Sequence, residues 1–526
     1  MAAQELPESW VQPAGPVKPG LVQLSTLDNL TARVYPCPAL FFPLQPNVDP
    51  RRLYEACARG LARYMHEKPH LAGIHVTDES GRTSIEVRPA PYAGGKFPYH
   101  DHREVRSMPS YSEMKKFGWP FGDGDRDGLG ALRLGNFPSQ GFQTGDPLLI
   151  PQFNVLRGGI VLTVCASHII GDSVQGRDYI LGWARQTNAV ATAWAKGEPE
   201  PPLPDQVPAN LLDRSRFLPA VQTEHDLDNL AAKATDIPNW TFLDPRDPEE
   251  IGRLVGELFT KARLTDDDLS KYSEDVLREP SMCVWAFPKE SLTKLKSAVL
   301  GALGDGAKLS TVDCLTSFAW QRFFAAKWAP GLSGPGSIPE TTRIVYAGSV
   351  RTRLSPPLPL NYLPACVDIF PVSERSVEAA TTSPQSLARM ASLVRGSGKA
   401  WSMDAFTKLL ETAQMHPMNP GLIPKGPLDA FVTEHTRLHD ALLESWGPDM
   451  GSCEAFREPY VGRDIPSGEI TLLPTPTGDV QVMFAGEAVV MERLKRDPHM
   501  NSLASFQHGL VDVPKLVAKD RRSSVL

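Results

Sequence analysis

Residues 158–172 read GGIVLTVCASHIIGD. Gly158 and Gly159 open the stretch, and the run Ile160–Cys165 that follows is short, rich in β-branched residues and almost unbroken in apolar character. That pattern predicts a strand buried on both faces, the kind found in an α/β core. The strand delivers His168 at its end, after which the chain turns at Gly171. Asp172 and Ser173 are suited to cap a following helix whose apolar positions Val174, Ile180, Leu181 and Trp183 roughly share a face, and an acid at a helix N-terminus is favoured by the helix dipole. An imidazole presented at the end of a buried strand is a candidate proton acceptor.

The spacing His-x-x-x-Asp carries little weight alone. With twelve histidines in the chain, roughly one such match arises by chance. A second does occur, His508 to Asp512 in FQHGLVDVPK. No strand pattern precedes it, and His508 is expected at the surface.

At 526 residues the chain exceeds one ordinary core, and two large domains are expected. Hydrophobic residues at 41% and charged residues at 22% describe a folded globular protein. A net charge of -7 gives no basis for nucleic-acid binding, which depends on neutralising phosphates. No Lys/Arg run suggests an anionic membrane, and no uninterrupted apolar stretch reaches the length of a membrane span. The N-terminal MAAQELPESWVQPAGPVKPG has neither a basic nor an apolar targeting pattern, so a cytoplasmic location is expected. The seven cysteines, at 37, 57, 165, 283, 314, 366 and 453, are scattered, odd in number and without a C-x-x-C pair. They indicate neither a zinc site nor a disulfide framework and are expected to be reduced packing residues. Cys165 is read as a small apolar strand residue rather than a thiol nucleophile. No metal site is expected.

Along the chain, Asp49-Pro50 starts a helical pattern over Leu53–Tyr64, and Thr83–Val87 alternates as a strand. Residues 92–150, rich in Gly, Pro and charge, are expected to form long loops or an insertion. A Pro-rich, acidic stretch over roughly 196–250 predicts a crossover linker. Beyond it, Lys289–Leu303 has helical spacing. Ser310-Thr311-Val312-Asp313 precedes an apolar and aromatic helix holding Leu315, Phe318, Trp320 and Phe323. Arg343–Val350 is a strand candidate, helices are expected across 385–415, and strands near Glu469–Leu473 and Val480–Phe484.

Six stretches in chain order resemble the BAHD acyltransferase superfamily, particularly its fungal trichothecene acetyltransferase-like branch. They are LSTLDNL at 24–30, KPHLAG at 68–73, SHIIGDS at 167–173, LSTVDCLTSFAW at 309–320, VRTRLSPPLPLNYLPA at 350–365 and PDMGSCEAFREP at 448–459. The resemblance implies an α/β fold of two chloramphenicol-acetyltransferase-like domains, with mixed sheets flanked by helices and an active-site channel between them. The halves would be 1–220, carrying His168, and 251–526, carrying Asp449-Met450-Gly451, with 221–250 as the crossover. It implies transfer of an acyl group, acetyl by family default, from coenzyme A to an alcohol or amine of a small secondary metabolite. The acyl-CoA is a co-substrate, no permanently bound cofactor is implied, and a monomer is expected. His168 would be the general base, acting without a covalent intermediate.

The resemblance also assigns supporting residues. Asp172 would be structural, paired with Arg351 or, two residues on, Arg353, and Gly171 would make the turn. Asp449 and Gly451 match the start of the family's Asp-Phe-Gly-x-Gly, with Met450 for Phe and Cys453 for the last Gly. The family commonly has a Thr-Ser-Trp-like segment before that motif, supplying an oxyanion donor. Here the candidates are Thr433 of FVTEHTRL, with His435 in the Trp position, and Trp446. Ser310 and Thr311 are candidates to contact the donor's pantetheine arm, or equally a helix cap. Tyr362 and Asn361 are candidates to line the channel. Two other readings are carry-over of the fold to a carrier-protein-dependent condensation-type enzyme, whose usual first His and final Gly are Ser167 and Ser173 here, and a non-catalytic binding relative.

Overall fold

Two mixed β-sheets organise the chain, one in each half, in a computed structural model that describes residues 7–79, 81–106, 108–119, 142–218, 228, 231–232, 237–304, 306–328, 338–416, 421–458 and 467–509. The first sheet has five strands in the spatial order Ala455–Arg457, Ala39–Pro43, Gly159–Thr163, Gln152–Leu156 and Tyr99–Asp101. Its pairings are antiparallel except the outermost, between Tyr99–Asp101 and Gln152–Leu156. Gly159–Thr163 is the middle strand and all its residues are buried, which is why its sequence is continuously apolar rather than alternating. Helices Pro50–Glu67 and Ser173–Lys196 pack against each other, and their apolar faces share one core with the sheet, including Leu61, Tyr64, Ile160, Leu162 and Trp183.

The second sheet has seven strands: Val367–Arg375, Thr341–Ser349, Ala430–Glu434, Glu469–Pro474, Val480–Glu487, Pro280–Phe287 and Ser505–Gly509. Ala430–Glu434 runs parallel to both its neighbours. Helices Lys289–Leu303, Thr311–Trp328 and Pro384–Ser397 cover this sheet around a core that holds Trp285, Phe318, Trp320, Phe323 and Phe484. A third cluster joins Leu27 and Phe217 to Val350, Tyr362, Cys366 and Phe406, and so bridges the halves. No helix among the described residues is long and apolar enough to cross a membrane.

Local signals in the sequence account for several elements. The predicted helix spans Pro50–Glu67: the Asp49 side chain accepts from the Arg51 amide and Pro50 occupies the first turn, where its missing N–H costs nothing. Asp172 caps Ser173–Lys196 by accepting from the Val174 amide at 2.9 Å, and Gly197, at φ 69°, ends it in the left-handed region. Thr83–Val87 and Lys289–Leu303 have the predicted bounds.

Four expectations are corrected. The stretch 92–150 is not only loop: Tyr99–Asp101 completes the first sheet and Tyr111–Lys116 is a helix with a Ser110–Glu113 capping box. Most of WPFGDGDRDGLG lies outside the described residues. The end of the expected crossover, Trp240–Phe242, pairs with Leu422–Pro424, and Trp240 Nε1 donates to Asp368, so that part is folded onto the C-terminal half. In the opposite direction, Ala455–Arg457 leaves the C-terminal half to pair with Ala39–Pro43, and Trp446, Met450, Cys453 and Phe456 belong to the first core. The cysteines are not all free: Cys37 stands opposite Cys165 in the antiparallel register that pairs Ala39 with Thr163, and the two form a disulfide with Cα atoms 4.3 Å apart. Residues 128 apart in sequence are thus neighbours in the sheet.

His508 is the fourth. It lies on Ser505–Gly509 opposite Val284 and is buried, because this segment is recruited as an edge strand of the second sheet. Burial first, and the nearby Arg457 guanidinium second, pull its imidazole down to about 3 from an ordinary 6.5. Burial likewise pulls His75 down to about 4. The unfolded chain takes up these protons below 6.5 while the folded chain does not, so stability falls as pH drops from 6.5 towards 4, by up to about 1.4 kcal/mol per pH unit per group. Urea midpoints across that range should fall with pH, less steeply for His508→Gln; equal slopes in the two proteins would contradict the burial of a neutral His508.

Candidate active site

The strand Gly159–Thr163 continues as an extended segment whose backbone is held on two sides. Val164 donates to Pro38 at 2.9 Å, Ser167 to Leu148 at 2.8 Å and His168 to Val34 at 2.9 Å, while the Cys165 carbonyl accepts from Ile150 at 3.1 Å. His168 then opens a single 3-10 turn, His168–Ile170. Ile169 and Ile170 point into the core, and His168 is partly exposed. Its Nδ1 is buried without a hydrogen-bond partner among the described residues, which leaves Nε2 as the nitrogen able to meet a substrate.

Asp172 is not bonded to His168. Its carboxylate accepts from Arg351 Nη1 at 2.7 Å and Nη2 at 3.0 Å, from the Cys366 amide at 2.9 Å and from the Val174 amide at 2.9 Å. A carboxylate offers about four lone-pair directions, and here all are used. Arg351 is equally engaged: Nε donates to the Tyr362 carbonyl, Nη2 also to Pro364 and Nη1 also to Ser349 Oγ. Both side chains are buried, so the pair is bidentate and shielded from solvent. Arg353 is exposed and donates to the Gly398 carbonyl instead. The choice between the two arginines is therefore resolved in favour of Arg351.

Gly171 sits where the two halves touch. A Cβ there would lie 2.5 Å from the Leu363 carbonyl oxygen and 2.5 Å from Gln175 Cβ. Gly171→Ala should therefore destabilise the protein by about 1–3 kcal/mol through overpacking, measured as a lower urea midpoint; a midpoint at the wild-type value would mean that the contact between the halves yields freely.

A second buried acid accompanies the first. Asp28 accepts from Ser25 N and Oγ at 2.9 and 2.7 Å, from Arg214 Nε at 2.9 Å and from the Ala365 amide at 2.9 Å. Consecutive amides of the 362–366 segment thus donate to Asp28 and Asp172, fastening that segment to the His168 turn from both sides. Tyr362 is wholly buried there and its hydroxyl donates to the Asp213 carbonyl, whereas Asn361 is exposed. The Ser25-x-x-Asp28 capping spacing is visible in the sequence, but no local signal announces a partner 186 residues away.

The remaining candidates divide. Thr433 lies on Ala430–Glu434, partly exposed, with Oγ1 3.5 Å from Glu469 Oε1. The turn that follows, Thr436–Leu438, packs on the helix Ser173–Lys196. His435 Nε2 is 3.4 Å from Glu458 Oε2. Trp446 is 2% exposed, packed between Trp183 and Phe42 in the first core. That burial removes Trp446 as an oxyanion donor and leaves Thr433 as the candidate. Asp449 is exposed, Met450 fills an apolar site beside Cys57, and Gly451 takes φ 67°, a left-handed turn that favours glycine. Cys453 is buried with its thiol on the Leu442 carbonyl. Ser310 caps the helix Thr311–Trp328 reciprocally with Asp313, at 3.0 and 2.7 Å, so its hydroxyl serves the cap.

A family model described as the trichothecene 3-O-acetyltransferase-like N-terminal domain matches residues 34–187. Acyltransferase clz6 of Cochliobolus lunatus is 24% identical over 515 residues, covering 94% of this chain and 97% of that protein. Acyltransferase M4 of a Phoma species is 22% identical with the same shares. Among solved structures, TRI101 of F. graminearum complexed with coenzyme A and T-2 mycotoxin superposes with a TM-score of 0.65 at 18% identity, covering 93% of this chain and all of that one. Vinorine synthase gives a TM-score of 0.58 at 16% identity, covering 95% of this chain and 98% of that one. Over nearly its whole length the chain is thus similar to fungal acyltransferases, its residues 34–187 match the trichothecene 3-O-acetyltransferase-like N-terminal domain, and it shares the fold of TRI101 and vinorine synthase.

Proposed function

We propose that this protein transfers an acyl group, most simply acetyl, from a coenzyme A thioester to a hydroxyl of a small secondary metabolite, with His168 as general base. The observation that carries this reading is a partly exposed imidazole at the junction of the halves, its Nδ1 turned inward and the nearby Asp172 wholly engaged by Arg351. An uncharged hydroxyl is a weak nucleophile. His168 Nε2 removes its proton as the oxygen attacks the thioester carbonyl, the C–O bond forms, the C–S bond breaks, and the proton passes from the imidazolium to the departing CoA thiolate. Oxygen attacks directly, so no acyl-enzyme is needed. Negative charge on the carbonyl oxygen calls for a hydrogen-bond donor, a role assigned to Thr433 Oγ1. Asp172 and Arg351 hold the turn and take no proton.

The test is incubation with acetyl-CoA and a panel of hydroxylated metabolites, following thiol release against acylated product by mass spectrometry. Equal amounts of both are expected. Acylation only from a carrier-protein thioester would replace this reading with a condensation-type one, and donor binding without turnover on any acceptor would make the protein a binding relative.

A further inference from the structure

His75 lies on the strand Ile74–Thr77 with its ring wholly buried. Nδ1 is 2.9 Å from the Asp146 carbonyl oxygen and Nε2 is 2.8 Å from Ser167 Oγ, the residue immediately before His168. A carbonyl can only accept, so the proton sits on Nδ1, Nε2 presents its lone pair, and the Ser167 hydroxyl donates to it. Phe142 stacks on the ring at 3.7 Å between centroids and 9° between planes, and Tyr35 meets it edge-on while donating to the Pro147 carbonyl at 2.7 Å. The ring is thereby confined to one orientation.

His168 has no such restraint of its own. Its Nδ1 has no partner among the described residues, so the aim of the imidazole depends on where the Ser167–His168 backbone lies. Main-chain bonds to Leu148 and Val34 fix the path of that backbone. The Ser167 side chain adds the restraint against rocking about that path.

We infer that His75 is a positioning residue for His168, holding through Ser167 the backbone from which the catalytic imidazole projects. The inference rests on His168 being the base. The role is geometric rather than proton-carrying: burial, with Arg33 nearby, keeps His75 at about 4 despite the opposing influence of Asp146, and it stays neutral near physiological pH. A displacement of about 1 Å at a reacting group can cost about 10²-fold in rate, which makes such a restraint consequential.

The experiment compares Ser167→Ala, His75→Phe, His75→Gln and the double variant Ser167→Ala/His75→Phe. Ser167→Ala and His75→Phe should each lower kcat by about 10- to 100-fold with KM for acetyl-CoA unchanged, and the double variant should lose no more than the worse single one. His75→Gln, which can still accept from Ser167, should recover most of the loss, and the limbs of the pH–rate profile should stay in place. Hydrogen exchange at the amides of 167–171 should accelerate in Ser167→Ala and His75→Phe, a readout that needs no turnover. Wild-type kcat in Ser167→Ala, additive losses in the double variant, a displaced pH limb, or unchanged exchange would each overturn the inference. If the wild-type protein acylates nothing, the functional reading falls while exchange still decides whether His75 holds the turn. If His75→Phe does not fold, Ser167→Ala and His75→Gln carry the comparison.

Discussion

Replacing His168 by alanine should lower turnover by about 10²–10⁴-fold while leaving the fold and donor binding intact. The size follows from the chemistry: without a base, the acceptor hydroxyl must attack while still carrying its proton. The selectivity follows from the structure. The His168 ring is partly exposed and its Nδ1 has no partner among the described residues, so truncation breaks no described hydrogen bond at that nitrogen and removes a side chain that is not fully enclosed in the core. The urea midpoint and the acetyl-CoA affinity of His168→Ala should therefore match the wild type. A variant retaining turnover within a few-fold would remove His168 from the chemistry; one that unfolds would make it a structural residue.

Breaking the Asp172–Arg351 pair should do the reverse and cost about 3–5 kcal/mol of stability. Arg351→Ala leaves a buried carboxylate with only the Val174 and Cys366 amides, and frees the Tyr362 and Pro364 carbonyls of their shared donor. Asp172→Asn leaves a buried guanidinium facing an amide and weakens the cap of Ser173–Lys196. Because the two residues meet directly, Asp172→Asn combined with Arg351→Met should lose less than the sum of the single losses. Urea denaturation of the three variants measures this, with lost turnover as a consequence of a loosened turn. A fully stable Asp172→Asn that has lost only its turnover would bring Asp172 into the chemistry and undo the assignment.

What the sequence discloses of this protein follows the range of the forces involved. The buried strand behind His168 is legible because burial on both faces leaves a continuous apolar run, and the helices after Asp49 and Asp172 are legible because caps are local. The six-stretch resemblance places Arg351 opposite Asp172, and the structure selects it over Arg353 because only Arg351 is buried beside the carboxylate. Contacts set by sheet topology are not legible. Nothing near Cys37 announces Cys165, nothing near Ala455 announces that its strand joins Ala39–Pro43, and His508 has no strand pattern before it. Trp446 appears as an oxyanion candidate in sequence because its neighbours resemble the family pattern, yet the crossing that brings Ala455–Arg457 to the first sheet also buries its indole. His75 carries no motif at all; only the fold puts it against Ser167.

Calorimetric titration of the purified protein with acetyl-CoA tests the central claim most directly, since it needs no knowledge of the acceptor. Saturable one-to-one binding in the range of about 1 μM to 1 mM, retained by His168→Ala, is the predicted result. Failure to bind acetyl-CoA or any longer acyl-CoA would contradict the acyl-CoA-dependent reaction proposed for this fold.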